Sequence, residues 1–110
     1  MKKEDIIKSG EDFNKILNYN HKVSNNEFII FYVPKDEQKP KFGISAPKKL
    51  GNAVLRNKCK RRLRMIIRNN NFLFKNYRNY IIIIKKGFLC LSYKDNVESL
   101  KKLIGGLNEK

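Results

Sequence analysis

The chain has 110 residues, with 25 lysines and arginines against 10 acids, a formal net charge of +15 and a pI near 10.0. That length fits one domain with a real but modest core, and the charge asks for a polyanion, whether nucleic acid, ribosomal RNA or a membrane surface. A membrane span is excluded, since the longest aliphatic run is Ile81-Ile82-Ile83-Ile84, and Cys59 and Cys90 lack the companions a zinc set needs and are read as packing residues.

Met1-Lys2-Lys3 is followed by Glu4 and Asp5 with no apolar stretch behind them, so no secretory signal is expected and the cytoplasm is the expected location. Residues 1–8 are expected to be mobile at the start of a single RNA-binding domain, 1–110. Ser9 as N-cap, acids at Glu11 and Asp12, and an apolar stripe of Phe13, Ile16 and Leu17 predict a helix ending near Asn18. A short strand is possible at Val23, and the β-branched and aromatic run 28–33, closed by Pro34, predicts a strand. Residues 41–46 alternate and stop at Pro47, which predicts a second strand paired to the first as a hairpin.

From Asn52 to about Asn70, Leu55, Cys59, Leu63, Ile66 and Ile67 fall within a third of the helical circumference, as in an amphipathic helix. Residues 80–84 read as a strand buried on both faces, ended by Lys85-Lys86-Gly87. Ser92-Tyr93-Lys94-Asp95 is a capping-box variant opening a last helix with core face Val97, Leu100, Ile104 and Leu107 and a last turn frayed at Gly105-Gly106. The order αβββαβα is that of an α+β fold in which three helices cover a sheet of about four strands.

The charge is unevenly placed. Between Gln38 and Lys94, 57 residues, there is no Asp or Glu, yet this window holds 16 of the 25 cations and all six arginines. On the basic helix Arg56, Lys60, Arg64 and Arg68 recur at i, i+4 with Asn57 and Arg61 beside them, a ladder of like charges that costs about 0.2–0.5 kcal/mol per pair in an isolated helix. A solvated face normally mixes signs; an unmixed one is an anion site. Five arginines on this helix in so lysine-rich a chain point to phosphate, which a guanidinium grips as a fork. Lys48, Lys49 and the Gly51-Asn52 turn lie just before the helix, where free N–H groups and the dipole favour phosphate. Gly51 has two open readings, close approach of an anion or backbone freedom alone.

The string Lys48-Lys49-Leu50-Gly51-Asn52-Ala53-Val54-Leu55-Arg56-Asn57-Lys58-Cys59-Lys60-Arg61-Arg62-Leu63-Arg64 closely resembles the signature segment of the protein subunit of bacterial ribonuclease P. Glu11-Asp12-Phe13, residues 28–33, Gly43-Ile44-Ser45 and residues 80–86 follow in that family's order, so the resemblance covers residues 9–107. It implies a compact α/β sandwich with an uncommon left-handed βαβ crossover. The implied partners are ribonuclease P RNA and precursor tRNA, whose 5′ leader the holoenzyme removes with Mg2+ required by the RNA subunit and no protein metal site assigned. Carried over, Arg56, Lys60 and Arg64 would border the leader cleft, while Lys48, Lys49, Asn57 and Arg61 would belong to the RNA-contacting segment. The resemblance also implies a cleft lined by Phe13, by Phe31 where a Tyr is often found, and by Leu17 where an aromatic is common. On the residues alone, core packing and cleft exposure stand equal for Phe13 and Phe31.

No catalytic residues are assigned. The one histidine, His21, lies in a polar turn and the acids have no paired spacing, so this chain is not expected to cleave phosphodiesters itself. A ribosomal protein that only scaffolds RNA is the alternative. A helix-turn-helix DNA binder is disfavoured because a strand ending at Pro47 precedes the basic helix, and no DNA or membrane partner is expected.

Overall fold

In the computed structural model, residues 7, 10–19, 21–34, 40–74 and 78–108 are described. The elements are α1 (Gly10–Tyr19), β1 (Lys22–Ser24), β2 (Phe28–Pro34), β3 (Phe42–Ser45), α2 (Ala53–Asn69), β4 (Arg78–Ile84), α3 (Gly87–Cys90) and α4 (Tyr93–Asn108), with 3₁₀ turns at Lys48–Leu50 and Asn71–Leu73. The proposed N-cap Ser9 and all of residues 1–8 except Ile7, where mobility is expected, lie outside the described residues.

The sheet order is β1-β2-β4-β3. This corrects the expected hairpin: β2 and β3 do not pair, because β4 lies between them, antiparallel to β2 and parallel to β3. The physical reason is burial. Tyr80, Ile81, Ile82 and Ile84 are buried, so β4 presents apolar side chains to both faces and gains most from a central place. β3, with Gly43 and Ser45 on one face, takes an edge, and α2 makes the crossover between the two parallel strands. The strand at Val23 is real and forms the other edge, with Val23 opposite Ile30.

Registers sort the side chains into two layers. Phe28, Ile30 and Tyr32 stand opposite Ile84, Ile82 and Tyr80, and this face packs with Cys59, Leu63, Ile66 and Ile67 of α2 and Leu100, Ile104 and Leu107 of α4 in the main core. Phe42, Phe74 and Tyr80 close its far end, with ring centroids 4.9–5.7 Å apart. On the opposite face lie Ile29, Phe31, Ile81, Ile83 and Gly43, covered in part by α1 through buried Ile16. A sandwich with α1 on one side and α2 and α4 on the other results.

The described residues contain four helices where three are expected. The extra one, α3, is a single turn whose Phe88 packs edge-on against Phe28 with centroids 5.6 Å apart. The N-cap of α4 forms as expected, with the Asp95 N–H donating to Ser92 Oγ at 3.1 Å. Its end does not fray at Gly105-Gly106: the helix runs to Asn108, where buried Leu107 anchors it and Asn108 Nδ2 donates to the Leu73 carbonyl at 3.0 Å. Of the expected core face of α4, Val97 is only half-buried. No described helix is long and apolar enough to cross a membrane.

The cysteines differ. Cys59 is buried as expected, but Cys90 is exposed, because α3 turns only Phe88 inward. Burial pushes the Cys59 thiol up against the opposing pull of Arg62 and Lys58. A raised folded value means that stability is whole below the ordinary thiol range and is lost as pH rises past it. Iodoacetamide at mildly alkaline pH is therefore expected to label Cys90 and spare Cys59 until the chain is unfolded, as mass spectrometry of the adducts would show. Equal labelling of both in the native protein would contradict this packing.

Candidate nucleic-acid interface

The basic segment is built as a turn that aims a helix. Lys48 and Lys49 are exposed on the 3₁₀ turn while Leu50 between them and α2 is buried, so one apolar anchor holds two cations in solvent. Gly51 has φ +150, and a Cβ there would stand 2.7 Å from Leu55 Cδ2. The backbone alone therefore requires glycine here: only glycine makes this turn without strain. Gly51→Ala is expected to cost about 1–3 kcal/mol, read as a lowered urea midpoint with an unchanged slope.

Asn52 ends up as the N-cap of α2, its Oδ1 accepting from the Leu55 N–H at 2.9 Å, while its carbonyl accepts from the Arg56 N–H at 3.0 Å. The N–H groups of Ala53 and Val54 have no acceptor among the described residues, and Val54 is 77% exposed. Two open donors at the positive end of a 17-residue helix are a fitting place for a phosphate oxygen. The side chain of Asn52 is committed to the cap.

Along α2 the buried residues Cys59, Leu63, Ile66 and Ile67 fix the rotation of the helix. That rotation leaves Asn57, Arg61, Arg64 and Arg68 exposed and Arg56 and Lys60 half-buried along the border of the core. Arg56 Nε is buried with no hydrogen-bond partner. Among the described residues none of these cations is in an ion pair. Three of the acids, Glu27, Asp95 and Glu98, line an open groove beside α4 to which α2 contributes nothing. Lys48, Lys49, Asn52, Arg56, Asn57, Lys60, Arg61, Arg64 and Arg68 are therefore brought onto one turn and one helix face, as the spacing predicts.

The three expected cleft residues share the α1 face of the sheet. Lys22, Phe31, Ile81 and Gly43 form one row across the strands. The Phe13 ring rests on Gly43, whose missing Cβ would come within 2.9 Å of Phe13 Cε2 and 3.2 Å of Ile81 Cγ1, so Phe13 and Phe31 flank Ile81. Phe13, Leu17 and Phe31 are each half-buried, neither sealed in core nor fully free. Lys22 Nζ sits 5.7 Å from the Phe31 ring centroid, a cation over a half-open aromatic that sequence reading does not single out. Among the described residues no group of three His, Cys, Asp or Glu could hold a metal ion.

The comparisons agree on one family. The Ribonuclease P family model matches residues 1–108. The chain is 44% identical over 105 residues to the ribonuclease P protein component of Mycoplasma mycoides subsp. mycoides, covering 94% of this chain and 96% of that relative. Identity to the same component of Streptococcus agalactiae serotype III is 37% over 94 residues, or 86% of this chain and 85% of that one. Among solved structures, a Staphylococcus aureus RNase P protein mutant with defective mRNA degradation activity superposes with a TM-score of 0.87 at 29% identity, over 96% of this chain and 90% of that one. The RNase P protein from Thermotoga maritima gives 0.78 at 26% identity, over 84% and 88%.

Proposed function

The chain belongs to the ribonuclease P protein family, a component of an endoribonuclease holoenzyme, and from that premise we propose that it binds ribonuclease P RNA and the 5′ leader of precursor tRNA in the cytoplasm. The observation that carries this reading is the cation face of α2, which has no ion pair among the described residues. A large RNA brings phosphates close together, and their mutual repulsion opposes docking of a second RNA. Cations fixed on a rigid helix lower that repulsion without reorganising at the moment of binding.

Each part of the interface has a separate task. Exposed Arg61, Arg64 and Arg68 grip phosphates of the RNA subunit, and Lys48, Lys49 and the open N–H groups of Ala53 and Val54 extend that grip around the start of the helix. Arg56 and Lys60, held against the core border, keep their charge close to the protein surface along which a leader would pass. Phe13 and Phe31 offer ring faces to unpaired leader bases, each stack being worth about 1–3 kcal/mol. Leu17 supplies apolar contact without a ring. Mg2+ and the cleavage step are assigned to the RNA subunit, as membership of the family implies.

Titration of precursor tRNA against the enzyme reconstituted with its RNA tests this reading. Precursors carrying a leader are expected to bind tighter than mature tRNA only when the protein is present. Equal affinities for the two with the protein bound would overturn the leader assignment.

A further inference from the structure

A run of rings closed by Arg78, at the N-terminal end of β4, has no part in the interface described so far. Tyr19, the last residue of α1, is 50% exposed and meets exposed His21 edge-on, with ring centroids 4.7 Å apart. His21 in turn lies 5.5 Å from the Tyr32 ring, and the Arg78 guanidinium sits over Tyr32 at 5.4 Å. One backbone and one side-chain hydrogen bond hold this order: the Tyr32 N–H donates to the His21 carbonyl at 3.0 Å, and Arg78 Nη1 donates to Asn108 Oδ1 at 3.1 Å.

The registers say where the array is. Pro34 stands opposite Arg78, at the N-terminal end of β4, whereas Ser45, the residue that leads toward α2, stands opposite Ile83 at the C-terminal end. Five residues along β4, about 17 Å, separate Arg78 from Ile83, and Tyr32, opposite Tyr80, lies three residues from it. Tyr32 also points to the face opposite that of Phe31, so the array turns around the end of the sheet instead of continuing the cleft floor.

Two exposed rings, Tyr19 and His21, beside the fixed cation Arg78 match the two halves of an unpaired nucleotide, a base that stacks and a phosphate that pairs. We propose that Tyr19, His21, Tyr32 and Arg78 form a second single-stranded RNA site, which takes one or two unpaired nucleotides on the Tyr19 and His21 rings with Arg78 beside a phosphate. The site itself stands on its own geometry; only the source of the nucleotides, a distal part of the leader or a loop of the RNA subunit, rests on the ribonuclease P reading.

The chain contains no tryptophan, so Tyr19→Trp installs a single fluorescent reporter in the array. Titrating the free Tyr19→Trp protein with an eight-nucleotide oligouridylate should quench it saturably, and adding His21→Ala should weaken that binding about ten-fold. Quenching should persist when Arg61, Arg64 and Arg68 are alanine. No quenching, no effect of His21→Ala, or loss of quenching in the triple variant would each overturn a distinct site. In the reconstituted enzyme, quenching by the RNA subunit alone identifies that source, and quenching that appears only with a leader-bearing precursor identifies the leader; none with either would also overturn the proposal. Because the oligouridylate experiment uses no ribonuclease P RNA, its failure is separable from failure of leader recognition.

Discussion

Replacing Arg61, Arg64 and Arg68 together by alanine should lower affinity for ribonuclease P RNA by about a hundred-fold near physiological salt and flatten the plot of log affinity against log salt by about 2 to 3. All three side chains are exposed, on a helix whose rotation is fixed by Cys59, Leu63, Ile66 and Ile67, so the fold has no use for their charge. Their removal relieves the repulsion of Arg64 with Lys60 and Arg68, worth a few tenths of a kcal/mol per pair. Thermal stability should therefore stay the same or rise slightly while binding collapses. Fluorescence anisotropy of the labelled RNA over a series of salt concentrations, beside a thermal melt, separates the two effects. An unchanged salt slope would mean that this face does not meet phosphate. Arg56 is unsuitable for this experiment, because its Nε is buried and truncation would disturb packing.

The largest expected effect on stability comes from a single methyl group. Gly87→Ala should destabilise the chain by about 1–3 kcal/mol or more and lower Tm by on the order of 10 °C. A Cβ at Gly87 would overlap the Asn26 carbonyl oxygen, which accepts from the Gly87 N–H at 3.2 Å. That carbonyl cannot retreat. Asn25 Oδ1 accepts from the N–H groups of Glu27 and Phe28 at 2.9 Å each, its Nδ2 donates to Ser99 Oγ at 2.9 Å, and Lys85 Nζ donates to the Asn25 carbonyl at 2.6 Å. The β1–β2 turn is thus tied to the end of β4 and to α4 around the point of overlap. Gly106→Ala is the matching control, since nothing lies within 4 Å of its Cβ position and a helical alanine should stabilise by up to about 1 kcal/mol. Melting both variants by circular dichroism should show shifts of opposite sign; a neutral Gly87→Ala would contradict the close packing of this turn.

What was legible in the sequence was what neighbouring residues decide among themselves. The stripe Leu55, Cys59, Leu63, Ile66, Ile67 and the cap Asn52 specify α2 and its rotation locally, so the cation face could be read with its residues in place. Strand pairing is decided by distant partners. Residues 28–33 and 41–46 look like a hairpin until β4, apolar on both faces, competes for the central place and wins it through burial. The doubly apolar run at Ile81-Ile82-Ile83-Ile84 was the signal that could have shown this, because such a strand needs a neighbour on each side. α3 is too short to carry a periodic pattern, and Cys90 is left outside by its one inward turn. The cleft was only half legible: Phe13 is aromatic in the sequence, but its seat on Gly43 exists only once β3 lies beside β4. Tyr19, His21, Tyr32 and Arg78 share no period at all and meet only at the end of the finished sheet.

The central claim proposed for this chain is that it serves a catalytic RNA by neutralising phosphate and holding a leader. The most direct measurement is cleavage of precursor tRNA by the cognate ribonuclease P RNA at a magnesium concentration too low for the RNA alone, with and without the protein. The account predicts that adding the protein restores release of the 5′ leader and that the Arg61, Arg64, Arg68 triple alanine variant does so only at much higher concentration. No restoration at any ratio of protein to RNA, with an RNA that is active by itself at high magnesium, would contradict it.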